Sequence, residues 1–274
     1  MKSVITYFGG KGLISKKIIH HFPILYSIYI EAYGGGASIL FSKPPTPLEI
    51  YNDIYENVYS LFKVLSNKIL FKEFKELCDL SFFSRQLREE FADDLKRDDL
   101  TLVERAFRYW YTNRTSHTRG DTLAANTSVR RKMSKSVSDF LTSIDNLSAI
   151  HNRLSKVIIE KQDALKLLKK YDVSTTFAYL DPPYHHDTRT DKRYNHDLTN
   201  EQQEILVDYL LTSKSKILLS GYKNSEYTRL EEYGWKRIDF PVKISGGVDN
   251  KAGIKVESLW KNYGTKKHSF WKEI

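Results

Sequence analysis

The chain has 274 residues, 41% of them apolar, and a formal charge of +9, enough for one large domain or a core domain with an insertion. No run of about 18 apolar residues marks a membrane span, and the opening MKSVITYFGGKG lacks the apolar region of a signal peptide. Cys78 is the only cysteine, which excludes an internal disulfide and a thiolate metal cluster; a soluble, cytoplasmic protein with a polyanionic partner is expected.

In chain order, Tyr7-Phe8-Gly9-Gly10-Lys11-Gly12 forms a first glycine turn. It lacks the GxxxxGK[ST] spacing of a triphosphate loop, so Lys11 reads as a point charge for a carboxylate. Ser27-Ile28-Tyr29-Ile30 predicts the first strand, running into Glu31-Ala32-Tyr33-Gly34-Gly35-Gly36-Ala37-Ser38. Glycines after a strand and before a helix either let the backbone approach a ligand or make a plain tight turn. Leu48-Glu49-Ile50-Tyr51 predicts the second strand, and just past it stands Asp53, 22 residues after Glu31. An acid there accepts hydrogen bonds from a ribose diol; Tyr51-Asn52-Asp53 also reads as a helix N-cap, and both roles can hold together.

From YENVYSLFKVLSNKI onward the pattern turns helical, and the next strand, Val157-Ile158-Ile159, comes only about 100 residues later, far beyond an ordinary crossover. Residues 60–150 are therefore predicted to be an inserted, mainly helical subdomain. Within residues 105–135 it carries Arg105, Arg108, Arg114, Arg119, Arg130, Arg131, Lys132 and Lys135 against Asp121 alone, a net +7. A cluster this local is the expected footprint of a protein that neutralises several phosphates, with a solvated helix face as the alternative. The consecutive Tyr109, Trp110 and Tyr111 favour helix packing over base stacking.

Asp163 follows the third strand as Asp53 follows the second, in reach of the adenine of the same ligand. Adenosine at one end and an amino-acid carboxylate at the other would use all these elements; S-adenosylmethionine is that ligand, with S-adenosylhomocysteine as product. Phe177-Ala178-Tyr179-Leu180 predicts a buried strand stopped by Asp181-Pro182-Pro183-Tyr184, since neither proline can donate to a ladder. A helix from Glu201 to Leu211 and a strand at Lys216-Ile217-Leu218-Leu219 follow. The tail WKRIDFPVKISGGVDNKAGIKVESLWKNY reads as two strands joined by a turn. The alternation predicts an α/β, Rossmann-like, mostly parallel sheet of about seven strands with an antiparallel end strand.

By average usage, a chance Asp-Pro-Pro-Tyr in a chain this long is roughly a one-in-a-thousand event. Its chemistry suits an exocyclic aromatic amine, whose lone pair is delocalised into the ring. Acceptors bonded to the amine hydrogens, the Asp181 carboxylate and the Pro182 carbonyl, draw the nitrogen toward pyramidal geometry and localise the pair. Tyr184 offers a face for stacking, and a base buried in a duplex must be flipped out to reach it. His185, His186 and Asp187 lack a third ligand at metal spacing, and the chemistry needs no metal. Arg189, Lys192 and Arg193 belong either to a loop that closes on DNA or to an ordinary solvated loop.

The order of glycine-lysine turn, EAYGGGAS, YND, basic insertion and DPPY resembles the Dam-type (D12 class) N6-adenine DNA methyltransferases over nearly the whole chain. The resemblance implies methyl transfer to adenine in double-stranded DNA. It implies cofactor roles for Tyr7, Gly9, Gly10, Lys11, Glu31, Tyr33, Gly34, Gly35, Gly36, Ala37, Ser38, Asp53, Asp163 and Asp181, and catalytic roles for Asp181, Pro182, Pro183 and Tyr184. It divides the chain into a catalytic domain, 1–59 and 151–274, and a target-recognition domain, 60–150. YTNRTSHTRG is similar to the family's Asn-Arg segment, which implies DNA contacts for Asn113, Arg114 and Arg119; the basic cluster adds Arg130, Arg131 and Lys132. A monomer is the default expectation. Four positions depart from the family pattern: Ala32, Tyr33 and Ala37 stand where Pro, Phe and Gly are usual, and Lys255 where an arginine is. DTLAANTSVRRKM does not resemble the family's hairpin, so no target sequence is implied. The competing readings are a methyltransferase for RNA or a protein glutamine, a catalytically inactive DNA-binding relative, and an NAD-dependent dehydrogenase, which would leave the double proline unexplained.

Overall fold

The computed structural model describes the chain except for residues 8–9, 117–127, 184–197, 245–252 and 265–274. Among the described residues seven strands form one sheet: β1 (Ile28–Glu31), β2 (Leu48–Asn52), β5 (Ile158–Glu160), β6 (Thr176–Leu180), β7 (Lys216–Gly221), β8 (Lys236–Ile244) and β9 (Gly253–Lys261). Their order is β5-β2-β1-β6-β7-β9-β8, a Rossmann-like arrangement in which the order reverses between β1 and β6. β1 and β7 each pair in parallel with β6, and β2 pairs in parallel with β5. β9 runs antiparallel to both β7 and β8. The reversed strand of the predicted tail hairpin thus sits one place in from the edge. Pro241 lies on β8, the edge strand, where its missing N–H breaks no interior ladder.

All five residues of β6 are buried, as a central strand covered on both faces requires. That is why its sequence reads as an apolar run rather than an alternation.

By packing, the chain divides into two compact units: Met1–His21, Gly34–Pro45 and Glu49–Lys161 form the first, and Phe22–Tyr33, Thr46–Leu48 and Gln162–Ile274 the second. The first unit holds α3 (Glu56–Ser66), α4 (Lys68–Asp79), α5 (Arg85–Asp94), α6 (Leu102–Thr115), α7 (Lys135–Asp145) and α8 (Leu147–Leu154), with a two-stranded hairpin of β3 (Val129–Arg130) and β4 (Met133–Ser134). α6 starts on a capping box, Thr101 with Glu104, which satisfies two otherwise unpaired backbone donors. Trp110 on α6 is fully buried among Phe74, Phe107 and Phe140, so helix packing is its role. Cys78 on α4 is buried too, and burial raises its thiol pKa well above the usual range.

Glu49 on β2 is clasped by the buried Lys43 and by Arg153 of α8. Burial opposes ionisation of Glu49, but the hydrogen bonds from Arg153 and Lys43 outweigh it and hold the carboxyl below its ordinary value.

The second unit packs β1 and β6 under aromatic rings, with Phe22 4.5 Å and Tyr263 5.9 Å from the Phe177 ring. At the foot of β7, Asp172 Oδ1 accepts from the Ser213 and Ser215 hydroxyls and the Lys214 and Ser215 amides. One carboxylate thereby pins the turn that feeds the strand.

Candidate active site

In the first unit the N-terminal segment and the glycine loop come together. The Gly10 N–H donates to the Tyr7 carbonyl, 3.0 Å, and Lys11 opens a short 3-10 turn in which it is buried. A Cβ on Gly35 would lie 2.7 Å from the Tyr7 ring, and one on Gly36 would lie 3.1 Å from the Tyr7 Cβ. Gly35 also has φ +47°, a conformation L side chains adopt only at a cost. On the other side Tyr51 of β2 covers Gly34, where a Cβ would meet the ring at 2.0 Å, and its hydroxyl donates to the Gly35 carbonyl, 2.6 Å. Gly34 and Gly35 are thus held to glycine by two aromatic rings of the protein itself, and Gly36 by the Ser3 hydroxyl at 2.9 Å and the Tyr7 Cβ.

Asp53 ties into the same loop. Its Oδ2 accepts from the Gly35 N–H and its Oδ1 from the Tyr55 N–H, both at 2.8 Å. The carboxylate thereby anchors the glycine loop to the turn that leads into α3. The N-cap of α3 is Tyr55, and Asp53 serves the turn before it. Ala37, ahead of α2 (Ser38–Ser42), is fully buried with φ 53° and ψ 34°. That left-handed conformation explains why glycine suits the position and what alanine costs there, about 1–2 kcal/mol.

In the second unit the ends of β1 and β6 lie side by side, with Glu31 paired to Tyr179. Asp181 and the prolines follow β6 directly, Pro182 buried and Pro183 half-buried. Glu31 is buried and accepts from the Tyr29 hydroxyl, 2.9 Å. Burial chiefly, then the charge of Asp181 and those of Glu31 and Glu257, raise the Tyr179 hydroxyl well above its usual range. Glu257 of β9 is also buried and accepts from Ser220, 3.0 Å. Asp181, Glu31 and Glu257 thus lie close enough to Tyr179 to disfavour its phenolate. Asp163 caps α9 (Ala164–Lys170) through Oδ1 and the Lys166 N–H, 2.9 Å. Burial, then Tyr227 and Asp163, raise the Tyr33 hydroxyl.

Tyr227 belongs to none of the sequence motifs. It lies on α11 (Ser225–Glu232), buried, edge-on to Trp260 at 5.1 Å, and a Cβ on Gly221 would come within 2.8 Å of its ring. Burial and then Asp181 raise its hydroxyl. The one available signal was the glycine ending the LLSG strand, since glycine in a strand marks close approach.

The basic candidates separate. Asn113 and Arg114, at the end of α6, are engaged with the protein's own backbone: the Thr6 N–H donates to Asn113 Oδ1, 2.7 Å, Asn113 Nδ2 donates to the Thr6 carbonyl, 2.8 Å, and Arg114 Nη2 donates to the Ser3 carbonyl, 2.7 Å. Burial lowers the Arg114 guanidinium to about 10. Arg130, Arg131 and Lys132 are exposed at the β3–β4 hairpin, and Arg130 pairs with Asp139. Gly9, Arg119, Tyr184, His185, His186, Asp187, Arg189, Lys192 and Arg193 lie outside the described residues, as does the Lys255 side chain. Among the described residues no group of three His, Cys, Asp or Glu is arranged to hold a metal.

A model of the D12 class N6 adenine-specific DNA methyltransferase family matches residues 7–238. The chain belongs to that family. Comparison with curated proteins gave no match. For a D12 class methyltransferase the acceptor is the N6 amine of adenine in DNA, which answers the choice among DNA, RNA and protein at the level of the family. The matched span of this DNA methyltransferase runs from Tyr7 through the glycine loop, α6, the hairpin and Asp181 into β8. No described helix is long and apolar enough to cross a membrane.

Proposed function

We propose that this methyltransferase moves a methyl group from S-adenosylmethionine to the N6 amine of an adenine flipped out of double-stranded DNA. The observation that carries the reading is the Asp181-Pro182-Pro183 sequence at the C-terminal end of β6, beside β1 where the strand order reverses. Ligands of open α/β sheets bind at that kind of position. When bound, S-adenosylmethionine would supply an electrophilic methyl on a sulfonium. Asp53 is the proposed partner of the ribose, Asp163 of the adenine and Lys11 of the carboxylate.

On the acceptor side, Asp181 and the Pro182 carbonyl accept hydrogen bonds from the N6 hydrogens. Proline fixes its own φ near −65°, so the carbonyl needs little reorganisation as charge develops. The sulfonium methyl that the cofactor would supply would pass to N6 with its carbon–sulfur bond broken, and Asp181 would take the N6 proton released. Tyr184 stacks on the flipped base. Residues 1–59 and 151–274 are the proposed catalytic domain, and 60–150 the target-recognition domain, with the exposed Arg130, Arg131 and Lys132 against phosphates. The protein is proposed to act as a cytoplasmic monomer.

The test supplies purified protein with unmodified duplexes of varied sequence and methyl-labelled S-adenosylmethionine. Label appears on adenine N6, and Asp181→Ala lowers turnover by at least about a thousandfold with duplex binding retained. Label on RNA or polypeptide, or no label on any duplex, overturns the reading.

A further inference from the structure

The end of α6 is expected from its basic sequence to touch DNA, yet its side chains hold the N-terminal segment of the same unit. Asn113 presents its amide edge-on to Thr6, receiving from the N–H at 2.7 Å and giving to the carbonyl at 2.8 Å, the pairing a neighbouring strand would make. The next residue, Arg114, holds the Ser3 carbonyl, and the Ser3 hydroxyl donates to the carbonyl of Gly36. Next to Thr6 comes Tyr7, whose ring packs on Gly35 and whose Cβ lies against Gly36. Farther up the same face of α6, at the i, i+4 spacing of a helix, stand Tyr109 and Arg105. Burial, then Tyr55 and Asp53, raise the Tyr109 hydroxyl, and Arg105 donates to Asn57, 3.1 Å.

From this clasp we infer that Asn113, supported by Arg114, is a positioning residue for the cofactor rather than a reader of DNA. It fixes residues 3–7, which carry Tyr7 onto the glycine loop and lead to Lys11. The inference rests on the S-adenosylmethionine reading given above. No other segment of the described protein pairs with the Thr6 backbone in this way, so removing the amide leaves a two-bond gap immediately before Tyr7.

The test compares wild type, Asn113→Ala and Asn113→Asp. S-adenosylmethionine affinity is measured by calorimetry without DNA, duplex affinity by fluorescence anisotropy without cofactor, and Thr6 amide exchange by hydrogen–deuterium exchange. With two hydrogen bonds lost, Asn113→Ala weakens cofactor binding by at least about tenfold and speeds Thr6 exchange by about tenfold or more, while duplex affinity stays within about twofold. Asn113→Asp keeps the acceptor for the Thr6 N–H and falls between the two. If the variant loses duplex affinity while cofactor affinity and Thr6 exchange stay at wild-type values, Asn113 reads DNA and the inference fails. Unchanged values in all three arms also overturn it. Wild-type protein that binds no S-adenosylmethionine defeats the functional reading instead, a result the other two outcomes do not resemble.

Discussion

The end of α6 and the β3–β4 hairpin lie only 16 residues apart, counting Arg114 to Arg130, and both are basic. At the first, a half-buried guanidinium and an amide are spent on backbone carbonyls of the protein itself. At the second, Arg131 and Lys132 both sit at positive φ, 53° and 60°, on an exposed turn. A two-residue hairpin turn with both residues left-handed favours Asn-Gly, so this protein keeps two cations where local chemistry disfavours them. Density of positive charge along a chain therefore does not separate cations that hold a fold from cations that meet a ligand; the partner each one has finds the difference.

Three variants sharpen that comparison, taken from the largest expected effect to the smallest. Arg114→Met removes a charged hydrogen bond from a half-buried site and costs about 1.5–2 kcal/mol, read as a lower urea midpoint with an unchanged slope. A loss below about 0.5 kcal/mol would place Arg114 with the hairpin cations. Changing Arg130, Arg131 and Lys132 together to Ala leaves stability nearly untouched. It makes the salt dependence of duplex affinity shallower by about 2–3 in log–log slope; an unchanged slope would break the comparison from the other side. Replacing Arg131-Lys132 by Asn-Gly relieves the left-handed strain and raises stability by about 1 kcal/mol, while duplex affinity drops. A stability loss here would mean the turn is held by its cations rather than strained by them.

Much of the sheet was legible before any coordinates. Phe177 to Leu180 announced a central strand because burial on both faces removes polar residues from it, and the tail pair was betrayed by its turn. The glycine loop was legible as a loop but not in its cause, since only the fold brings Tyr51 and Tyr7 against Gly34, Gly35 and Gly36. The pairing of Asn113 with Thr6 spans 107 residues, and hydrogen bonds to backbone leave no mark on the identity of the residue that receives them. Tyr227 went unread for a related reason: an aromatic on a helix looks like any core residue until the strand end it covers is known. Ala37 shows the reverse case. Its departure from the family's glycine was visible in sequence, and the positive φ supplies the physical content of that departure.

Cys78 gives the molecule a practical property. As the chain's sole sulfhydryl, sealed inside the helical packing and disfavoured as thiolate, it is shielded from alkylating and oxidising reagents as long as that packing holds. A cysteine introduced on the surface would then be the one readily addressable handle for a fluorophore or crosslinker, with no need to engineer the native one away.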